Sequence, residues 1–344
     1  MDNKYLEILR SYSGPPVRIM EVCGTHTHEI FRLGIRSLLP ENMELVSGPG
    51  CPVCVTPPGY IDSAVKLAVE HKAIIATFGD LIRVPGSNGS LADARTNGAV
   101  LKTVYSPLDA VELAKNDPQQ QVVFLAVGFE TTTPSACLAV KKAAAAGLKN
   151  FSILCANKTM PEAYKALKGS ADAFLYPGHV HAIIGTALCR EFCTQGVSGV
   201  VAGFTAEALV RALSLIAQGL ESGKAFFANA YEDVVKDAGN PAAQKLVANM
   251  MESCDCTWRG LGVIPGSGLQ LRDEFADFDA VKKFGLTPDD GRVNPACRCG
   301  EILRGDCKPC DCPLFGKVCN PLHPVGACMV SGEGACSAFY QYNN

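Results

Sequence analysis

Cys51 and Cys54 lie in the stretch SGPGCPVCVT at 47–56, held between Gly48-Pro49-Gly50 and Pro57-Pro58. A C-x-x-C box sets two sulfurs on one side of a tight turn, near enough to chelate one metal or to close a disulfide. The flanking glycines and prolines fix that turn and let other backbone come close. A closed structural zinc site needs a matching second pair, and none stands at a usual zinc spacing nearby. Cys23, in EVCGTHTHE, is the third thiol on offer. Three sulfurs make an open site for Cys23, Cys51 and Cys54, of the kind that does chemistry or holds transient cargo.

The neighbours of these thiols have a bland reading and a functional one. Cys23 alone is as well a buried small hydrophobe; beside Gly24, His26 and His28 it reads as an accessible thiol. His26 and His28 are either satisfied turn residues or a proton donor and a hydrogen-bond partner for a metal ligand. Asp80 and Glu130 either handle protons and orient ligands or cap helices. Thr131, Thr132 and Thr133, leading into Pro134, resemble a helix start that can receive an anion, without a phosphate loop. His181 in PGHVH carries no assignment.

Cysteine is the outlier of the composition, 17 of 344 residues, and about half of these fall within 297–336. Where thiols stay reduced, such a count points to metal or redox chemistry. Cys312, Cys319, Cys328 and Cys336 form a tetrathiolate set suited to a 4Fe-4S cluster or to zinc. Cys297, Cys299, Cys307 and Cys310 are additional, and some of them can form a dithiol beside the cluster.

The elements that must position these residues are α/β. Strands are expected at VRIMEV (17–22), MELVSG (43–48), AIIATFG (73–79), VLKTVY, QVVFLAVGF, FSILCAN, AFLYPG and GVVAG, with helical patterns between them and a long helix over 205–222. That alternation implies βαβ units and parallel sheets. The chain is read as two parallel-sheet α/β lobes facing a cleft, 15–117 and 118–250, with the seam at the polar break NDPQQ (116–120). A Cys-rich iron–sulfur segment, 251–344 together with 1–14, completes it. Several strand ends carry the distinctive turns, and parallel sheets bind ligands at that end.

Hydrophobic residues at 48% and charged residues at 19% give enough apolar surface for real cores, and a net charge of -3 leaves no basic footprint for nucleic acid or an anionic membrane. The first residues lack the apolar stretch of an export signal, and the apolar runs are far short of a membrane span. A soluble, cytoplasmic protein is expected.

MEVCGTHTHEIFRLGI, LVSGPGCPVCVTP, TFGDLIRVPGS, VGFETTTP, WRGLGVIPGSGL and PLFGKVCNPLHPVGACMVSGEGAC, in order from about residue 17 to 340, resemble the HypD family of NiFe hydrogenase maturation proteins. The resemblance implies a factor that holds iron and assembles the Fe(CN)2CO unit of the hydrogenase. Its partners would be a HypC-type small chaperone, a HypE-type cyanide-delivering protein and, indirectly, the hydrogenase large subunit. It implies two α/β lobes plus a part carrying a 4Fe-4S cluster, with essential thiols at Cys23, Cys51 and Cys54 and cluster ligands at Cys312, Cys319, Cys328 and Cys336. Such a protein is an assembly scaffold with redox activity rather than a conventional turnover enzyme. Two other readings use the same residues: an iron–sulfur-dependent thiol–disulfide reductase, and a zinc-stabilised scaffold without catalysis.

Overall fold

The computed structural model describes residues 3–342; the ends of the expected segments 1–14 and 251–344 lie outside the described residues. In chain order the strands are β1 (Val17–Glu21), β2 (Met43–Ser47), β3 (Ile74–Thr77), β4 (Leu101–Thr103), β5 (Val122–Gly128), β6 (Phe151–Asn157), β7 (Ala173–Pro177), β8 (Ser198–Ala202), β9 (Phe227–Asn229), β10 (Met251–Trp258) and β11 (Gly262–Leu271). One parallel sheet has the order β2-β1-β7-β8-β9 and a second the order β4-β3-β5-β6. β10 and β11 form an antiparallel hairpin.

The strands that read as unbroken apolar runs take the inner places. β5 is buried along its whole length and pairs with β3 on one side and β6 on the other, Val122 facing Phe151. β7 is likewise buried throughout between β1 and β8. Strands covered by helices on both faces lose the alternation of a half-exposed sheet and keep only hydrophobicity.

The α/β class and the parallel sheets agree with the sequence, but the chain does not fill one sheet before starting the next. It leaves the first sheet after β2, builds the whole second sheet, and returns at β7. The break at 116–120 therefore falls between β4 and β5, inside the second sheet. Local pattern reveals βαβ units; it does not say which strand edge each unit joins. The helix Asn3–Arg10 is also placed differently. It packs on the long helix Ala206–Glu221 of the first sheet, where Leu9 and Tyr12 join the core around Leu209, Leu213 and Ile216, and not on the Cys-rich segment.

Two of the helical stretches between strands are broken by glycines in the left-handed region, where an L side chain is strained. Gly34, with φ of 63°, ends Gly24–Arg32 and starts a short 3-10 turn; Gly185, with φ of 79°, separates Gly178–Ile184 from Ala187–Thr194.

The cysteine-bearing stretch from residue 297 on carries the short α-helices Cys299–Leu303, Ala327–Val330 and Ala335–Tyr342. The last lies against Gly24–Arg32, with Phe31 and Phe339 edge to face at 5.6 Å. One hydrophobic core joins Met20 and Tyr176 of the first sheet, Phe129 and Trp258, and the thiols of Cys51, Cys54, Cys299, Cys328 and Cys336. The Cys-rich segment is thus packed onto the cysteine box. Among the described residues no helix is long and apolar enough to cross a membrane.

Candidate functional site

β1, β2, β3 and β5 end at the turns that carry Cys23, the cysteine box, Asp80 and Glu130, on the carboxyl side where parallel sheets bind ligands. Cys23 is the N-cap of Gly24–Arg32, and the amides of Thr25 and His26 face its sulfur without closing a cap hydrogen bond. Burial pushes its thiol up to about 12, against the pull of the His26 amide and with the nearby Glu333 carboxylate. Cys23 is therefore protonated at neutral pH, and a metal bound there must displace that proton.

The Cys23 turn and the cysteine box are locked backbone to backbone: the Gly24 N–H donates to the Gly50 carbonyl at 2.9 Å. On its other side the turn meets Glu333, whose carboxylate accepts from the Thr25 hydroxyl at 2.6 Å. Within the box the Cys51 and Cys54 sulfurs lie 2.7 Å apart, and the Cys54 amide donates to the Cys51 sulfur at 3.2 Å. A tetrahedral metal with bonds near 2.3 Å sets its sulfurs about 3.8 Å apart. As it stands the box is a dithiol pair, and it must spread to grip a metal. Among the described residues no three His, Cys, Asp or Glu side chains stand as a ready metal site.

The thiols continue into the C-terminal segment. Cys54 contacts Cys328, and the Cys328 sulfur is 2.7 Å from that of Cys299. Its hydrogen bonds with Cys299 first and Cys54 second hold the Cys328 thiol below the ordinary range, while burial pushes Cys54 up. The box, Cys328 and Cys299 form one continuous line of sulfur. Cys297 extends it through contact with Cys299.

Cys336 is buried with the thiols of Cys299, Cys297, Cys319 and Cys312 as neighbours. Cys312 and Cys319 are buried, Cys307 is half-buried and Cys310 exposed. The donor set fits an iron–sulfur cluster: all-thiol, mostly buried, in a stretch with little apolar core of its own. Cys297, Cys312, Cys319 and Cys336 would hold it, with Cys328 turned toward Cys299 and Cys54.

His26 is fully buried; its Nε2 donates to the Gly203 carbonyl at 3.0 Å, its ring lies tilted against that of Phe204, and its Nδ1 has no partner. Burial lowers it to about 4, so it is a neutral imidazole. His28 points away, to the Gly332 carbonyl at 3.0 Å and the ring of Tyr342. Asp80 is exposed and accepts from the Ser331 hydroxyl at 3.3 Å. Asp80 and His28 thus brace the 331–333 turn that carries Glu333. Glu130 is buried, with one oxygen accepting from the Met160 amide at 2.9 Å and the other unpartnered; burial raises it to about 7. The Thr132 and Thr133 hydroxyls donate back to the Phe129 carbonyl, so the threonine run is tied to its own turn, and the Thr132 side chain accepts no amide at the start of Thr133–Ala145. His181 is buried, its Nδ1 donating to the Gly185 carbonyl at 2.8 Å, with the Cys189 sulfur 3.6 Å from its Nε2.

Sequence reasoning did not single out Glu333, Cys299 in its contact with Cys328, or Arg259. The buried Arg259 donates from Nε to the Thr56 carbonyl at 2.9 Å, clamping the segment after the box, and its charge pulls Cys297 and Cys299 down. It sits in WRGLG, a string whose composition gives no sign that its guanidinium turns inward.

A family model described as "HypD: Hydrogenase formation hypA family" matches residues 3–343. The chain is 45% identical over 333 residues to the "Hydrogenase maturation factor HypD" of Escherichia coli (strain K12), covering 95% of this chain and 89% of that one. It is 44% identical to the protein of the same description from Azotobacter vinelandii, over 94% of this chain and 89% of that one, and 44% identical to that of Cupriavidus necator, over 96% and 90%.

Proposed function

The chain belongs to the HypD family of hydrogenase maturation factors, and from that premise we propose that it holds iron while the Fe(CN)2CO unit of a NiFe hydrogenase is assembled, with Cys23, Cys51 and Cys54 as the gripping thiols. The observation that carries this reading is the Gly24–Gly50 hydrogen bond, which ties the Cys23 turn to the cysteine box. Iron is the cargo. Cys23 supplies a buried sulfur at a helix N-terminus, where the helix dipole favours the thiolate formed on binding. His26, neutral and with Nδ1 free, is a hydrogen-bond acceptor beside it, and Glu130 near its midpoint at neutral pH is a proton carrier. A HypC-type chaperone sharing the iron and a HypE-type protein delivering cyanide are the proposed partners, in a reducing cytoplasm.

The sulfur line supports a redox step alongside. If Cys51 and Cys54 oxidise to a disulfide, the Cys328 thiolate attacks the Cys54 sulfur and releases Cys51 as a thiolate; Cys299 then attacks Cys328 and frees Cys54. Two electrons move to the box, and a Cys299–Cys328 disulfide remains. A 4Fe-4S cluster held by Cys297, Cys312, Cys319 and Cys336 would supply the electrons to reopen it. The same line would serve a thiol–disulfide reductase, and bound iron separates the two. A zinc scaffold predicts a colourless protein.

The test is an infrared spectrum of protein purified without oxygen together with its HypC-type partner, wild type against Cys23→Ala. Metal-bound cyanide and carbonyl bands in the wild type alone support assembly at Cys23. Absence of bands from both, with the brown of a cluster retained, moves the function to the reductase.

A further inference from the structure

A second reactive thiol lies outside the box, on the β10–β11 hairpin. Lys158 follows β6 and is 1% exposed. Its ammonium donates to the Cys256 sulfur at 2.7 Å and to the Thr257 carbonyl at 3.0 Å, and it lies 5.7 Å from the centre of the Trp258 ring. Among the described residues no carboxylate pairs with it. A buried ammonium is costly unless an anion faces it, and the sulfur of Cys256 is the group in place to be that anion. Lys158 is enclosed, whereas Cys256 is only half-buried and can meet a small solute.

Cys254 stands two residues earlier, where β10 shifts register against β11. The Asp255 side chain between them turns across to accept from the Gly266 amide at 3.0 Å. Opposite both thiols is Gly268. A Cβ there would lie 2.6 Å from the Cys256 Cβ and 3.0 Å from the Cys254 sulfur, so the two cysteines converge on space left open by a missing side chain.

We propose that Cys256 is a lysine-paired thiolate that reacts with hydroperoxides and is then resolved by Cys254. The sulfur attacks the outer peroxide oxygen and the O–O bond breaks. Cys256 becomes a sulfenic acid, oxidised by two electrons, and the alkoxide or hydroxide leaves. The Cys254 thiol then displaces the sulfenic oxygen as water and closes a disulfide, which removes the charge opposite Lys158. Burial pushes the Cys254 thiol up to about 11, which keeps it in the resolving role.

The test is peptide mapping by mass spectrometry of the intact chain, prepared without oxygen, on the tryptic fragment 246–259. With limiting iodoacetamide at neutral pH, Cys256 should alkylate about tenfold faster than Cys254. Equal rates overturn the proposal, and that comparison needs no variant. In Cys254→Ser, hydrogen peroxide with dimedone should tag Cys256, and Lys158→Met should lower the tag about tenfold. Undiminished tagging in a folded Lys158→Met also overturns it. In the wild type, peroxide should instead leave the fragment two hydrogens lighter.

Discussion

A Cβ on residue 50 would lie 2.2 Å from the Cα of Cys23, so Gly50 is glycine because the Cys23 backbone occupies the place of its side chain. The contact is backbone against side chain, with no flexible end to yield, and it sets the spacing between Cys23 and the box.

Gly50→Ala should therefore force the two turns apart. The expected loss is about 3 kcal/mol, at the upper end for overpacking, seen as a lower urea midpoint at unchanged slope. Iron retained by the anaerobic complex should fall together with stability. An unchanged midpoint would mean that the turns do not touch.

Cys328→Ser distinguishes the two possible ligand sets. The sequence reading makes Cys328 a cluster ligand beside Cys312, Cys319 and Cys336; the function proposed above, which rests on its contacts with Cys299 and Cys54, makes it a redox thiol and gives the fourth place to Cys297. After anaerobic reconstitution with iron and sulfide, Cys328→Ser should keep the brown absorbance, while Cys319→Ser and Cys336→Ser lose it. Thiol trapping should show the Cys51–Cys54 disulfide of Cys328→Ser persisting under reductant. Loss of colour from Cys328→Ser would restore it to the ligand set.

The contrast between these cysteines shows how far the sequence could be read. Strand after strand was legible, since β5 and β7 are apolar runs bounded by turns, and the Cys23 and box motifs lie at strand ends where parallel sheets bind. What was not legible depends on long-range placement. Cys297, Cys299 and Cys328 are equivalent as letters, and only the packing of Ala327–Val330 against the box separates them. Asp80 and His28 looked like chemistry because they flank the motifs, yet they brace the 331–333 turn from opposite sides. The return of the chain to the first sheet at β7 left no local mark at all.

His26 should make the protein acid-sensitive. Its folded value of about 4 lies below the ordinary 6.5, so the unfolded chain binds more protons between the two. Its contribution is full above 6.5 and is lost as pH falls toward 4. His26→Phe keeps a ring against Phe204 and abolishes the titration. Denaturation across pH should show the variant losing less stability than wild type on going from pH 7 to pH 5, by about 2 kcal/mol.

Glu130 works in the opposite direction over an overlapping range. Its folded value of about 7 lies above the ordinary 4.5, so the native state holds the extra proton between them. Stability from this group is therefore greatest below 4.5 and declines as pH rises toward 7, where the buried carboxylate with one oxygen unpartnered must ionise. Glu130→Gln preserves the acceptor for the Met160 amide and removes the decline, so at pH 8 the variant should be more stable than wild type, by about 3 kcal/mol. In the wild type the two slopes partly cancel. Removing Glu130 should expose the rise with pH due to His26, and removing His26 should expose the fall due to Glu130. Parallel curves for both variants would mean that neither group is buried as described, whereas slopes of opposite sign, with maturation lost in Glu130→Gln despite its greater stability, would mark Glu130 as a proton carrier held at a cost to the fold.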